Sequence, residues 1–240
     1  MTRLYLPQPL TSGATLDLPE EAVRHLVQVL RMGSGERLTV FNGEGGEYTA
    51  ELVEVGRRSA RLRVDVHDPV SREAPLAVTI AQCVSKGDRM DYALQKATEL
   101  GAVAFAPVLA ARGVVKLDGE RWEKKVEHWK GVVTGAAEQS GRTVVPAVAA
   151  PERFEAYVGT PRAGLKLILA PGGDTRLSAL PLDQPVTALI GPEGGFDEAE
   201  LALADRQGWR RLALGPRILR TETAPVALLA ALLARAGDYA

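Results

Sequence analysis

From residue 76 onward the chain alternates short, almost unbroken apolar runs with amphipathic stretches, and few architectures accept that rhythm. Leu76 to Val84, Val103 to Leu109, Leu165 to Leu169, Val186 to Ile190 and Arg211 to Leu214 read as strands. Strands that are apolar on both faces belong in a sheet covered on both sides, the habit of parallel sheets with helical crossovers. The helices are read from Arg89 to Leu100 closed by Gly101, Arg121 to Ser140 closed by Gly141, Glu198 to Gln207, and an apolar last helix from Ala224 to Ala236. The expected class is therefore α/β. At 46% hydrophobic and 25% charged residues, the chain has material for a core and is expected to be soluble and globular. Its 29 Lys and Arg against 30 Asp and Glu leave a net charge of −1, so any site for a polyanion must be a local patch.

The first seventy or so residues have a different texture. Leu38 to Phe41 and Tyr48 to Val55 flank Asn42-Gly-Glu-Gly-Gly46, the pattern of a β-hairpin. Ser59 to Val66 alternates apolar and polar as a half-buried strand does. A helix is expected from Pro19 to Arg31, capped by Asp17, ended by Gly33, with Val23, Leu26, Val27 and Leu30 on one face. Short strands plus one helix suggest a small barrel-like domain. The proline-bearing stretch from Asp68 to Pro75 reads as the linker. In the small domain every Lys or Arg position is arginine: Arg3, Arg24, Arg31, Arg37, Arg57, Arg58, Arg61, Arg63 and Arg72, beside ten carboxylates. Arginine forks onto phosphate and stacks on bases, but a balanced surface would read the same way.

Several chemistries find no support. There is no GxxxxGK[ST], HExxH or GxSxG pattern. His25, His67 and His128 lie far apart, and Cys83 is the one cysteine, so neither a metal site nor a disulfide framework is expected. Cys83 ends an apolar strand and reads as a buried hydrophobe. The start MTRLYLPQPL lacks the apolar stretch of a signal peptide, and no run of about 20 apolar residues exists, so a cytoplasmic location without membrane contact is expected.

Chemistry concentrates at strand ends. Leu189-Ile-Gly191-Pro-Glu193-Gly194-Gly-Phe-Asp197-Glu carries a strand into a loop with three glycines and then a helix. Leu214-Gly-Pro-Arg217-Ile-Leu219-Arg220-Thr221-Glu222-Thr223-Ala224-Pro225 does the same, with Thr223 as the expected cap. Leu169-Ala170-Pro-Gly172-Gly is a third glycine-bearing strand end. Carboxyl ends of α/β strands are where ligands bind, and glycine lets main chain approach one closely. Three such ends could line one uncharged crevice, which suits an adenosine-type ligand better than a triphosphate.

The pairing of GPEGGFDEAE with LGPRILRTETAP, in that order, resembles the SPOUT methyltransferases, and most of all the RsmE family of 16S ribosomal RNA (uracil-N3)-methyltransferases. Arg3-Leu-Tyr, His25 to Arg31, Lys86 to Gly101 and Glu138-Gln-Ser-Gly-Arg142 look like that family's other blocks, so the likeness runs along most of the chain. The resemblance implies a PUA-like RNA-binding β-barrel domain over residues 1–70 and a SPOUT methyltransferase domain over 75–240, mainly parallel, with a trefoil knot. It implies a homodimer, S-adenosyl-L-methionine as cofactor, and 16S rRNA of the small ribosomal subunit as substrate. The apolar last helix would fit burial at the subunit interface. Leu169, Ala170, Ile190, Gly191, Glu193, Gly194, Leu214, Leu219, Thr221 and Ala224 would hold the cofactor, mostly by main chain. The segment from Ala170 to Gly173 is less polar than expected in relatives. RNA contacts are expected from Arg3, Arg24, Arg31, Lys86 and Arg89.

Methylating the imide nitrogen of uracil requires removing its proton or stabilising the anion on the flanking carbonyls. Arg220 is the first candidate for that cation and Arg142 the second, with Glu222 or Glu138 to take the proton or orient an arginine. No covalent intermediate is needed, in keeping with one buried cysteine, whereas methylation at carbon 5 would usually need a thiolate. The competing readings are a SPOUT enzyme with another RNA target, a non-catalytic RNA-binding protein, and a small-molecule α/β enzyme.

Overall fold

The computed structural model describes residues 2–113 and 119–239. The chain forms two compact units, Met1–Glu73 with Ala137–Val145, and Ala74–Ala136 with Pro146–Ala240.

The first unit is a five-stranded mixed sheet with one helix. Its elements are β1 (Arg3–Tyr5), β2 (Thr15–Asp17), α1 (Glu20–Val23, continued by a π-helical segment Arg24–Val29), β3 (Arg37–Phe41), β4 (Glu47–Val55) and β5 (Ala60–Asp68). The strand order is β1-β3-β4-β5-β2; β1 runs parallel to β3 and the other neighbours are antiparallel. The expected hairpin is present, with Arg37 opposite Glu51 and Val40 opposite Tyr48. Its turn needs glycine at residue 46: φ is +70°, and a Cβ there would stand 2.4 Å from His67 Nε2. Alternation delivers Leu38, Val40, Ala50, Leu52, Leu62 and Val64 to one core, together with Leu26 of the helix. Full burial of such aliphatic side chains stabilises by roughly 1.5–3 kcal/mol each.

The helix departs from its expected form. Asp17 is not its cap: it ends β2 with its carboxylate 3.5 Å from Arg61, and the N-cap residue is Pro19, which has no side-chain bond to offer. The helix widens to a π turn, in which the Leu30 amide reaches back to the His25 carbonyl at 3.0 Å. That extra residue rotates Leu30 off the apolar face, so it is 43% exposed while Leu26 is fully buried. Termination falls to Arg31, at φ +58°, rather than to Gly33.

The second unit alternates strands and helices: β6 (Val78–Cys83), α2 (Asp88–Glu99), β7 (Ala104–Leu109), α3 (Gly119–Ser140), β8 (Ala147–Val148), β9 (Glu152–Arg153), α4 (Phe154–Gly159), β10 (Leu165–Leu169), β11 (Val186–Ile190), α5 (Glu198–Arg206), β12 (Arg210–Leu212) and α6 (Thr223–Ala236). The last residues of α3 belong to the first unit. The order is β12-β10-β11-β6-β7-β8, with β9 also on β7, and every pairing is parallel. All five residues of β11 are buried, as its unbroken apolar run requires. Gly164 immediately precedes β10 at φ +83°, where a Cβ would stand 2.1 Å from the Pro185 carbonyl oxygen.

Helix α6 begins one residue earlier than expected. Glu222 is its N-cap and Thr223 its first helical residue, so Thr223 does not cap. Its Leu228, Leu229, Leu232 and Leu233 are fully buried within this chain, where α6 packs on α2 and β11. No described helix is long and apolar enough to cross a membrane.

Candidate active site

Parallel strands place all their carboxyl ends on one edge, and the loops leaving β10, β11 and β12 meet there. Together they line a cleft of about 660 Å³, the size of a small-molecule site. The wall from β10 is Leu169 to Gly172. Its main chain lies against β12, the Ala170 amide donating to the Leu212 carbonyl at 3.1 Å. Gly173 permits this, since a Cβ there would come within 2.7 Å of the Arg211 backbone.

The wall from β11 is Ile190 to Glu193 with Gly195. The Gly195 amide closes a turn onto the Pro192 carbonyl at 2.9 Å, with φ +66° at Gly195. Phe196 folds its ring to 3.2 Å from where a Gly191 Cβ would stand, so this loop too is built on a missing side chain. Asp197 then starts α5 with a full capping box. Its carboxylate accepts the Glu200 amide at 2.8 Å, and Glu200 accepts the Asp197 amide at 2.9 Å. The other oxygen of buried Glu200 accepts the Ala111 amide at 2.8 Å, fastening the segment after β7 to the same junction.

The third wall runs from Leu212 through Glu222 to Ala224. Thr221 ties it to the second. Its buried hydroxyl donates to the Gly191 carbonyl at 2.6 Å and accepts from Gln82 Nε2 at 2.8 Å. The hydroxyl has one proton, so the order amide to hydroxyl to carbonyl is forced. The sequence reading passes over Gln82, although a glutamine inside the nearly continuous apolar run Leu76 to Val84 is a signal for it; it is 1% exposed.

Of the residues expected to hold the cofactor, Leu169, Ala170, Ile190, Gly191, Glu193, Leu214, Leu219, Thr221 and Ala224 all line this cleft. Gly194 does not; its carbonyl accepts from Arg112 at 3.0 Å instead. Arg220 and Glu222 are on the wall, and so is Arg217. Arg217 and Arg220 are exposed and have no ion-pair partner among the described residues. The Oε2 atom of Glu222 is buried and without a hydrogen bond. Such an oxygen is costly unless something arrives to meet it. Arg142 and Glu138 belong to the first unit and do not line the cleft. Arg142 is 3% exposed and donates through Nε to Glu73 at 3.0 Å. Glu138 accepts the Tyr5 amide at 2.8 Å; burial pushes its pKa up, against the pull of that bond and of His25 and Arg3.

The residues expected to contact RNA divide by their bonds. Arg3 is paired with Glu47 and donates to the Arg142 carbonyl, and Arg24 stands 3.8 Å from Glu21. Arg31 has no ion-pair partner among the described residues. Arg89 lines the cleft and donates to Glu193 at 2.6 Å; exposed Lys86 gives its amide to the same carboxylate at 3.3 Å. Burial opposes ionisation of Glu193, but these bonds, with one from its own main chain, hold its carboxyl below the usual range. Burial pushes the Cys83 thiol well up, with the Glu200 charge adding to it, which removes it as a nucleophile.

A mainly parallel α/β unit with a main-chain-lined cleft at its strand ends is the architecture of a family of RNA methyltransferases. Residues 72–233 match the family model described as RNA methyltransferase domain, and residues 18–65 that of the RNA methyltransferase PUA domain. The chain is 36% identical over 235 residues to ribosomal RNA small subunit methyltransferase E of Bacillus subtilis, covering 94% of this chain and 92% of that one. The same-named enzyme of Neisseria gonorrhoeae, solved bound to S-adenosyl methionine, superposes with a TM-score of 0.92 at 38% identity, over 98% of both chains. A methyltransferase of Legionella pneumophila, in complex with the same cofactor, gives a TM-score of 0.94 at 40% identity, over 98% of this chain and 97% of the other. The chain belongs to the family of ribosomal RNA small subunit methyltransferase E.

Proposed function

We propose that this protein methylates the N3 position of a uridine in 16S rRNA of the small ribosomal subunit, using S-adenosyl-L-methionine. The observation that carries this is the cleft, whose glycine-built main-chain walls also bear a free arginine, Arg220, and an unpartnered carboxylate oxygen on Glu222. The relatives solved with S-adenosyl methionine support the choice of cofactor. The residues fit that cofactor. The walls at Leu169, Gly191, Leu214 and Leu219 offer main-chain groups to an adenosine, and the absent side chain of Gly191 lets the Phe196 ring pack behind that wall.

When bound there, S-adenosyl-L-methionine supplies a methyl group carried on a sulfonium. The chain's own residues must turn the base so that its Watson–Crick edge faces the cleft, and stabilise the anion left when N3 loses its proton. Arg220 holds its guanidinium against the uracil carbonyls; always protonated, it stabilises charge but takes no proton. Glu222 Oε2 accepts the proton from N3 or holds Arg220 in place. Arg142 and Glu138, bonded as they are within the first unit, act there as positioning residues.

The reading extends to the domains and the assembly: residues 1–70 as the RNA-binding domain, 75–240 as the knotted methyltransferase domain, and a cytoplasmic homodimer. Purified protein, labelled S-adenosyl-L-methionine and small subunits lacking the modification, followed by mass spectrometry of the nucleosides, test it. A 3-methyluridine product is expected. Another methylated nucleoside overturns the position, and failure both to transfer and to bind the cofactor overturns the function.

A further inference from the structure

The first unit holds ten arginines and no lysine, and the structure sorts what the sequence leaves mixed. Arg3 and Arg72 are paired with Glu47, Arg24 with Glu21, Arg61 with Asp17 and Glu54, Arg63 with Glu51 and Asp65, and Arg142 with Glu73. Arg31, Arg37, Arg57 and Arg58 have no ion-pair partner among the described residues. Two of these four are neighbours at the tip of the β4–β5 hairpin, both exposed. With Val27 and Gln28 of the π-helical segment they line a cleft of about 350 Å³.

The backbone next to it is unusual twice over. The π turn exposes Val29 to 65% and Leu30 to 43%, and Arg31 follows in the left-handed region at φ +58°. A non-glycine residue held there costs of order 1 kcal/mol and persists where the surroundings impose it. The segment beyond is tied to β4 by the Gly35 amide on the Leu52 carbonyl at 2.7 Å and the Ser34 hydroxyl on the Val53 carbonyl at 2.8 Å. These bonds bring the end of the helix alongside the strand that leads into the Arg57–Arg58 tip.

We propose that this cleft is a docking site for the phosphodiester backbone of the RNA substrate. Arg57 and Arg58 take phosphate oxygens, Gln28 supplies an amide for a 2′-hydroxyl or base edge, and Val27 gives an aliphatic surface for a ribose or base face. Charge complementarity selects the occupant. The acidic residues flanking these elements, Glu54 and Glu21, face Arg61 and Arg24, so the two tip guanidiniums are left as uncompensated cations. The proposal rests on the RNA-methylation reading above, and adds Arg57 and Arg58 to the residues expected to contact RNA.

The test is filter binding of the full protein to small-subunit ribosomal RNA across a KCl series. The double variant Arg57→Gln/Arg58→Gln should raise Kd roughly ten-fold at about 0.1 M salt and reduce the slope of log K against log salt by ~0.7–0.9 per lost contact. Affinity for S-adenosyl-L-methionine and Tm should not move, since both side chains are exposed and unpaired. Arg63→Gln, which removes one cation from a site paired with Glu51 and Asp65, should change Kd less than about two-fold. A wild-type Kd and slope in the double variant overturn the proposal. So does an equal loss in Arg63→Gln, which would mean a diffuse field, or a double variant that loses only a protein contact on assembled subunits. A wild-type protein that binds RNA with the expected slope but transfers no methyl group overturns the function and leaves the surface standing.

Discussion

Two loop-to-helix junctions line the same cleft and are finished in opposite ways. At the start of α5 the capping carboxylates are spent: Asp197 and Glu200 cap each other's amides, and Glu200 reaches on to Ala111. At the start of α6, Glu222 occupies the N-cap position without a side-chain cap bond and keeps a buried, unpartnered oxygen. Both junctions follow a Gly-Pro loop, so sequence chemistry alone makes them look alike. A saturated junction is scaffold. An unsaturated one costs stability, which is the expected mark of a position kept for chemistry.

The contrast can be broken from either side. The largest effect is expected at the open junction. Arg220→Ala should lower kcat on the order of 10²–10³-fold, as removing one charge-stabilising donor does. Cofactor affinity, measured by calorimetry, should change little; a loss confined to affinity would make Arg220 a binding residue. At the closed junction, Glu200→Ala leaves the Ala111 and Asp197 amides without acceptors and should cost about 3 kcal/mol, a fall in Tm of roughly 6–12 °C in thermal melts. Glu222→Gln should do the reverse in kind. Turnover should fall on the order of 10²-fold, as for loss of a general base, with Tm little changed because Glu222 makes no side-chain cap bond to lose.

The smallest effect concerns Glu193, in the loop leading to the closed junction. Its carboxyl is held below the ordinary range, so its contribution is complete above the unfolded carboxyl pKa and lost as pH falls through the depressed folded value. Its partner Arg89 is 45% exposed, so screening limits the gain to about 0.5 kcal/mol. Urea melts of wild type and Glu193→Gln should differ by that much near neutrality and converge in acid. A gap that widens in acid would contradict the assignment.

Much of the second unit could be read ahead of the structure because its signals are local. The ends of β10 and β11 fall where the apolar runs stop, and Gly101 and Gly141 close their helices at φ +92° and +81°. The short elements β1, β2, β8 and β9 were not read, since two or three residues carry no period; their pairing partners make them strands. The exit of the α1 helix was misjudged because a π turn depends on which residues the sheet beneath will accept. The last helix illustrates the same limit. Its apolar residues suit an interface between subunits as well as an intrachain core; Leu228, Leu229, Leu232 and Leu233 are buried within this chain, and Val226, Ala227, Ala230 and Ala231 stay partly exposed.

By itself the sequence determined the α/β class, the glycine-bearing strand ends and the residues offered to a cofactor, because backbone freedom and hydrophobic period are properties of neighbours along the chain. Only the tertiary structure decided which charges are spent. Arg142 and Arg220 are equal in sequence as cations beside a helix end, yet one is locked to Glu73 and the other stands free on the cleft wall. Gln82 is one polar residue in a strand until folding sets it 2.8 Å from Thr221, 139 residues away. Pairing acts through space and falls off within a few ångströms, so it is settled when distant segments meet.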